Sequence, residues 1–178
     1  MSTATYVIVA GLPGTGKSTL AEALARELNG VVLSKDVVRA ALFPRGLIDY
    51  TGEQDDLCFR MVLDAARYLA DHRRTDFIFL DGRTFSRSQQ FEEAIRAARD
   101  AGCAWRIVLA TCPDAIAEAR LAADAGKHPA ANRTVELYRA VKVRFEPIAH
   151  PYLTIDTSQP LEVCIQRGLA YLRSETKE

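Results

Sequence analysis

Gly11-Leu12-Pro13-Gly14-Thr15-Gly16-Lys17-Ser18 matches the pattern GxxxxGK[ST] in full, and no other feature constrains this chain as much. Glycines at this spacing let the backbone wrap an anion with several N–H groups pointing inward. A helix that starts where the loop ends adds its partial positive charge. Such a loop works only between a strand and a helix, and the sequence predicts both. Residues 6–10 form a near-continuous apolar run, and Leu20, Leu24 and Leu28 follow the loop at a spacing of four. Gly11, Leu12, Pro13, Gly14, Thr15, Gly16, Lys17, Ser18 and Thr19 are therefore the expected phosphate cradle. Lys17 would reach the β- and γ-phosphates of a nucleotide, and the Ser18 hydroxyl would ligate Mg²⁺.

The rest of the chain keeps the same alternation. Apolar runs at residues 31–33, 77–80, 105–110 and 152–155 read as further strands. Their continuity fits a parallel sheet covered by helices on both faces. Leu57, Met61, Ala65 and Leu69 suggest a long helix over residues 53–73. Ser86 to Gln89 resembles a capping box ahead of Phe91 and Ile95. Pro113 suits the first turn of a helix running to about residue 123. Asn132 is an expected cap for a helix carrying Val135, Tyr138, Val141 and Phe145, and a last helix opens near Pro160. The expectation is one α/β domain over residues 1–178, a P-loop fold with a five-stranded parallel sheet sandwiched by helices.

Three absences narrow the nucleotide chemistry. No NKxD sequence occurs, so ATP is favoured over GTP. The apolar strand ending at Asp81 is followed by Gly82, where mechanical ATPases commonly carry a glutamate. A chain of 178 residues also leaves no room for an added helical domain. Positively, Ser34-Lys35-Asp36-Val37-Val38-Arg39 puts a carboxylate just beyond the second strand, at the sheet edge that lines the ligand crevice. Asp36 there could take a proton from an acceptor hydroxyl, or simply cap the helix. Arg39, one turn on, could hold an acceptor anion. Asp81 is placed for the Mg²⁺ shell or for capping the turn. Arg83 reads equally as a substrate contact or a surface salt bridge. Tyr50, in the loop over residues 43–52, borders the same crevice.

Composition bounds the partners. The 23 basic and 23 acidic residues cancel, which argues against tracking a long nucleic acid. Cys58, Cys103, Cys112 and Cys164 form no CxxC pair and sit in apolar contexts, so reduced thiols are expected. No apolar run is long enough to span a bilayer. A cytoplasmic protein with no membrane partner, monomeric or homodimeric, is the simplest expectation.

Taken together, GLPGTGKST, SKDVVR, FIFLDGRTF and the late arginine-bearing segment resemble the small P-loop kinases of the polynucleotide kinase, gluconate kinase, chloramphenicol phosphotransferase and zeta-toxin type. The resemblance spans nearly the whole chain. It implies Asp36 as general base, Arg39 as an acceptor-side contact, and Arg120 or Arg133 on the transferring phosphates. The polar stretch with Lys127 and His128 would belong to a small helical lid over about residues 120–135. It implies ATP, Mg²⁺ and a hydroxyl-bearing small molecule as partners. A polynucleotide 5′-hydroxyl kinase and an ATP-dependent binding or regulatory protein with weak ATPase activity stand as alternatives.

Overall fold

The computed structural model describes residues 4–124, 130 and 132–174. The strands are β1 (Thr5–Ala10), β2 (Gly30–Ser34), β3 (Phe77–Asp81), β4 (Ala104–Thr111) and β5 (Leu153–Asp156). The helices are α1 (Lys17–Glu27), α2 (Lys35–Leu42), α3 (Gly52–Asp71), α4 (Ser88–Asp100), α5 (Asp114–Ala123), α6 (Val135–Val143) and α7 (Leu161–Arg173). All strands run parallel in the spatial order β2-β3-β1-β4-β5. The sequence expectation of a five-stranded parallel P-loop sheet is met.

β1 explains the layering. Its side chains alternate between two faces, as a pleated strand requires. Tyr6, Ile8 and Ala10 join Phe59 and Val62 of α3 and Phe91, Ala94 and Ile95 of α4. Val7 and Val9 join Leu20 and Leu24 of α1 and Leu169 and Leu172 of α7. Both faces are dry, so the strand is near-continuously apolar from Tyr6 to Ala10. Each fully buried leucine in these layers contributes roughly 1.5–3 kcal/mol.

Three local expectations shift. The entry to α4 lies one residue later than residues 86–89 suggested: Gln90 Oε1 accepts from the Arg87 N–H at 3.2 Å, and the Ser88 N–H donates to Glu146 at 2.6 Å. Thr134, not Asn132, caps α6, its Oγ1 accepting from the Leu137 N–H at 3.1 Å. On α3 the stripe through Leu57, Met61 and Ala65 faces outward, while Gln54, Cys58, Phe59, Val62 and Ala66 face the core. A spacing of four marks a helix without saying which side is covered.

Two glycines set the ends of strands against each other. At Gly11, φ is +143° and a Cβ would stand 2.4 Å from the Ala110 carbonyl oxygen, so the chain leaving β1 turns tightly against β4. At Gly82, φ is +84° and a Cβ would stand 2.8 Å from the Lys35 nitrogen and 2.9 Å from that of Asp36. Ser34 pairs with Asp81 across β2 and β3, so the first turn of α2 rides directly on Gly82. Among the described residues no helix is long and apolar enough to cross a membrane.

Gly82→Ala is expected to lower unfolding free energy by at least ~1–2 kcal/mol from the left-handed backbone alone, with displacement of α2 adding to it. Urea unfolding of the purified variant measures this, and unchanged stability would mean that α2 is not seated on Gly82.

Candidate functional site

The carboxyl ends of β1, β2 and β3 open into one cavity of about 890 Å³. Its walls include Pro13, Lys17, Asp36, Arg39, Asp81 and Arg120. Gly16, at φ +76°, occupies the cap position of α1 with no side-chain cap, and no acidic residue stands in the first turn. The start of α1 is thus left for an anion supplied from outside.

Within the loop one carbonyl does two jobs. The Leu12 oxygen accepts from Thr15 Oγ1 and from Lys17 Nζ, each at 2.8 Å. Burial is the main reason that the Lys17 ammonium is pushed down to about 8, with Asp81 acting in the other direction and Arg133 reinforcing the fall. An enclosed cation with one neutral partner is poised for phosphate oxygens.

Ser18 Oγ donates to Asp81 Oδ2 at 2.7 Å, and Asp81 Oδ1 is buried without a hydrogen-bond partner. A hydroxyl and an orphaned carboxylate oxygen are hard ligands of the kind that Mg²⁺ takes alongside water and phosphate. Among the described residues there is no group of three or more His, Cys, Asp or Glu able to hold a metal. The pair fits an ion carried in by a nucleotide.

Asp36 is not a cap. Ser34 holds the cap position of α2, and Asp36 sits inside the first turn, buried and facing the cavity. Its Oδ1 is approached by Arg39 at 3.0 Å and Lys35 at 3.5 Å. None of the described hydrogen bonds reaches its Oδ2. Lys35 and Arg39 both also pair with Asp55 Oδ1, while Arg83 Nε lies 3.4 Å from Asp55 Oδ2. Burial alone would raise the Asp55 carboxyl. Lys35 first, then Arg83 and Arg39, more than offset that and hold it below the usual carboxylate range.

Tyr50 borders the cavity and lies under Arg39, the guanidinium 5.2 Å from the ring centroid. Arg83 also borders it, but is nearly fully buried. It pairs with Asp56 at 2.5 Å and Glu93 at 2.8 Å, and stacks 4.1 Å from the Phe59 ring centroid. Those donors tie α3 and α4 to the turn after β3, so Arg83 is a buried tie and not a surface salt bridge. Arg39, expected to hold an acceptor anion, is likewise already shared between two carboxylates.

Arg120 stands over the phosphate loop. It donates to Thr157 Oγ1 at 3.0 Å and to the Thr157 carbonyl at 2.8 Å, and Thr157 Oγ1 lies 2.8 Å from the Thr15 carbonyl. Arg133, just ahead of α6, faces the same cavity. Lys127 and His128 lie outside the described residues. Lys35, Asp55 and Thr157 were not singled out individually from sequence. The adjacent Lys35-Asp36 was a usable signal for the first. Asp55 read as an ordinary acidic residue in the first turn of a helix.

Comparison with known proteins bears on this arrangement. A family model described as an AAA domain matches residues 7–148. The APS kinase of Mycobacterium tuberculosis, solved in complex with AMPPNP and APS, superposes with a TM-score of 0.73 at 20% identity, covering 98% of this chain and 100% of that one. A sugar kinase from a Janibacter species gives 0.68 at 21% identity, with coverage of 96% and 94%. A gluconokinase from Sinorhizobium meliloti 1021 gives 0.64 at 16% identity, with coverage of 98% and 99%. A search of curated proteins finds no match. At these identities the likeness is one of fold.

Lys17 yields a proton-linked prediction. A polyphosphate beside it favours the charged amine, so binding raises its pKa and draws in a proton wherever the free protein has lost one, above about pH 8. Calorimetric titration with an ATP analogue at roughly pH 9, in buffers of different ionisation enthalpy, should register this uptake, and near pH 6.5 it should vanish. Identical proton release or uptake in Lys17→Met would assign the effect elsewhere.

Proposed function

Since the chain belongs to this AAA-domain family and folds as small-molecule kinases do, we propose that it is an ATP-dependent kinase that transfers the γ-phosphoryl group to a hydroxyl of a small molecule. The observation that carries this reading is Asp36. It shares one cavity with the phosphate loop, and the contacts given for two neighbouring cations both fall on its Oδ1, so Oδ2 would be the oxygen that takes the acceptor proton.

In this reading the loop amides and Lys17 hold the β- and γ-phosphates of ATP. Ser18 and Asp81 would hold Mg²⁺, which when bound neutralises phosphate charge. The acceptor oxygen attacks the γ-phosphorus, the bond to the β-bridging oxygen breaks, and ADP leaves. The acceptor proton passes to Asp36 Oδ2, whose anionic form also orients the hydroxyl for in-line attack. Arg120, fixed by Thr157, and Arg133 supply positive charge where negative charge spreads over the transferring group. The segment over about residues 120–135, of which 125–129 and 131 lie outside the described residues, would serve as the lid that keeps water from competing with the acceptor. Thr157 and Gln159, after β5, line the cavity beyond the phosphate loop and are suited to the adenine side. The four free thiols support a reducing, cytoplasmic setting.

The test is transfer of label from γ-labelled ATP with Mg²⁺ to a pool of sugars, nucleosides, amino acids and hydroxylated antibiotics, with 5′-hydroxyl oligonucleotides assayed separately. Label is expected in a small molecule, with at least ~10²-fold less transfer for Asp36→Asn. Label on the oligonucleotide would instead make the protein an end kinase. Label only in inorganic phosphate, equal in both proteins, would leave an ATP-dependent binding protein.

A further inference from the structure

Asp55 lies outside every motif that points to nucleotide chemistry, yet it is the carboxylate on which three cations from two parts of the chain converge. Lys35 and Arg39 reach its Oδ1 from α2, and Arg83 approaches its Oδ2 from the turn after β3. The side chains of Lys35, Arg39 and Arg83 are 7%, 3% and 2% exposed, so water cannot take over as their counter-charge. Asp36 has access to the same two α2 cations, and the contact given for each falls on its Oδ1.

The two carboxylates therefore compete for Lys35 and Arg39. While Asp55 shares them, the contacts given for both with Asp36 fall on Oδ1, so Oδ2 is the oxygen they crowd least. Without Asp55, Asp36 is the nearest remaining anion for both cations. A guanidinium fork and an ammonium can then close over both of its oxygens, filling the space a hydroxyl needs. Arg83 keeps Asp56 and Glu93 and would stay in place. We infer that Asp55 is a positioning residue for phosphoryl transfer, keeping Asp36 open to the acceptor hydroxyl by drawing Lys35 and Arg39 away from it. This rests on the kinase reading above, with Asp36 as the acceptor-side base.

The decisive comparison is wild type, Asp55→Asn, and Asp55→Asn combined with Lys35→Met, each given γ-labelled ATP, Mg²⁺ and the same acceptor pool. Affinity for a fluorescent ATP analogue and thermal unfolding are measured on the same samples. Asp55→Asn is expected to lose roughly 30-fold or more in transfer at saturating ATP while its analogue affinity stays within about twofold. Adding Lys35→Met removes a surplus cation and should recover part of the transfer rate, well above that of Asp55→Asn alone. The inference is overturned if Asp55→Asn transfers at the wild-type rate. It is also overturned if the loss only tracks the unfolded fraction, or if the second substitution restores stability but not rate. Absence of transfer by the wild-type protein overturns the kinase reading itself, and the role of Asp55 in transfer falls with it.

Discussion

The structure depends first on β1 being the strand that nothing else can replace. It is paired on both edges and dry on both faces, so its direction and height fix every neighbour. Because all five strands are parallel, their carboxyl ends come out at one edge of the sheet. The loop after β1, the first turn of α2 and the end of β3 meet there. The phosphate cradle, Asp36 and Asp81 are remote in sequence and adjacent in space for that reason alone.

At that edge the chain concentrates charge that its overall composition hides. Lys35, Arg39 and Arg83 stand against Asp36, Asp55, Asp56 and Glu93. A buried ion set of this kind is weak as a source of stability, because desolvation offsets most of the attraction. Its value is geometric. Each donor has a limited choice of acceptors, so the orientation of the reactive groups follows from which carboxylate holds which cation.

Much of this was legible in the sequence because the informative signals are local. A complete phosphate loop between an apolar strand and a helix announces its own context, and the near-continuous apolar strands announce a sheet covered on both faces. Motif residues such as Lys17, Ser18, Asp36 and Asp81 line the expected cavity for the same reason. What escaped was pairing over long sequence distances. Nothing near Asp55 in the sequence indicates that Lys35, Arg39 and Arg83 will converge on it. Nothing near Arg83 shows that Asp56 and Glu93 will enclose it. The outward stripe on α3 escaped differently: periodicity shows that two faces exist, and only the packing of α3 against β1 and α4 says which one is covered.

The contact from Arg120 through Thr157 to Thr15 has a thermodynamic side. It joins α5, the segment after β5 and the phosphate loop. A loop already held from above and, through Leu12, from within has little conformational freedom left to surrender on binding. The ordering that accompanies nucleotide binding then falls elsewhere in the site, and the phosphate loop acts as a fixed mould rather than a partner that adapts.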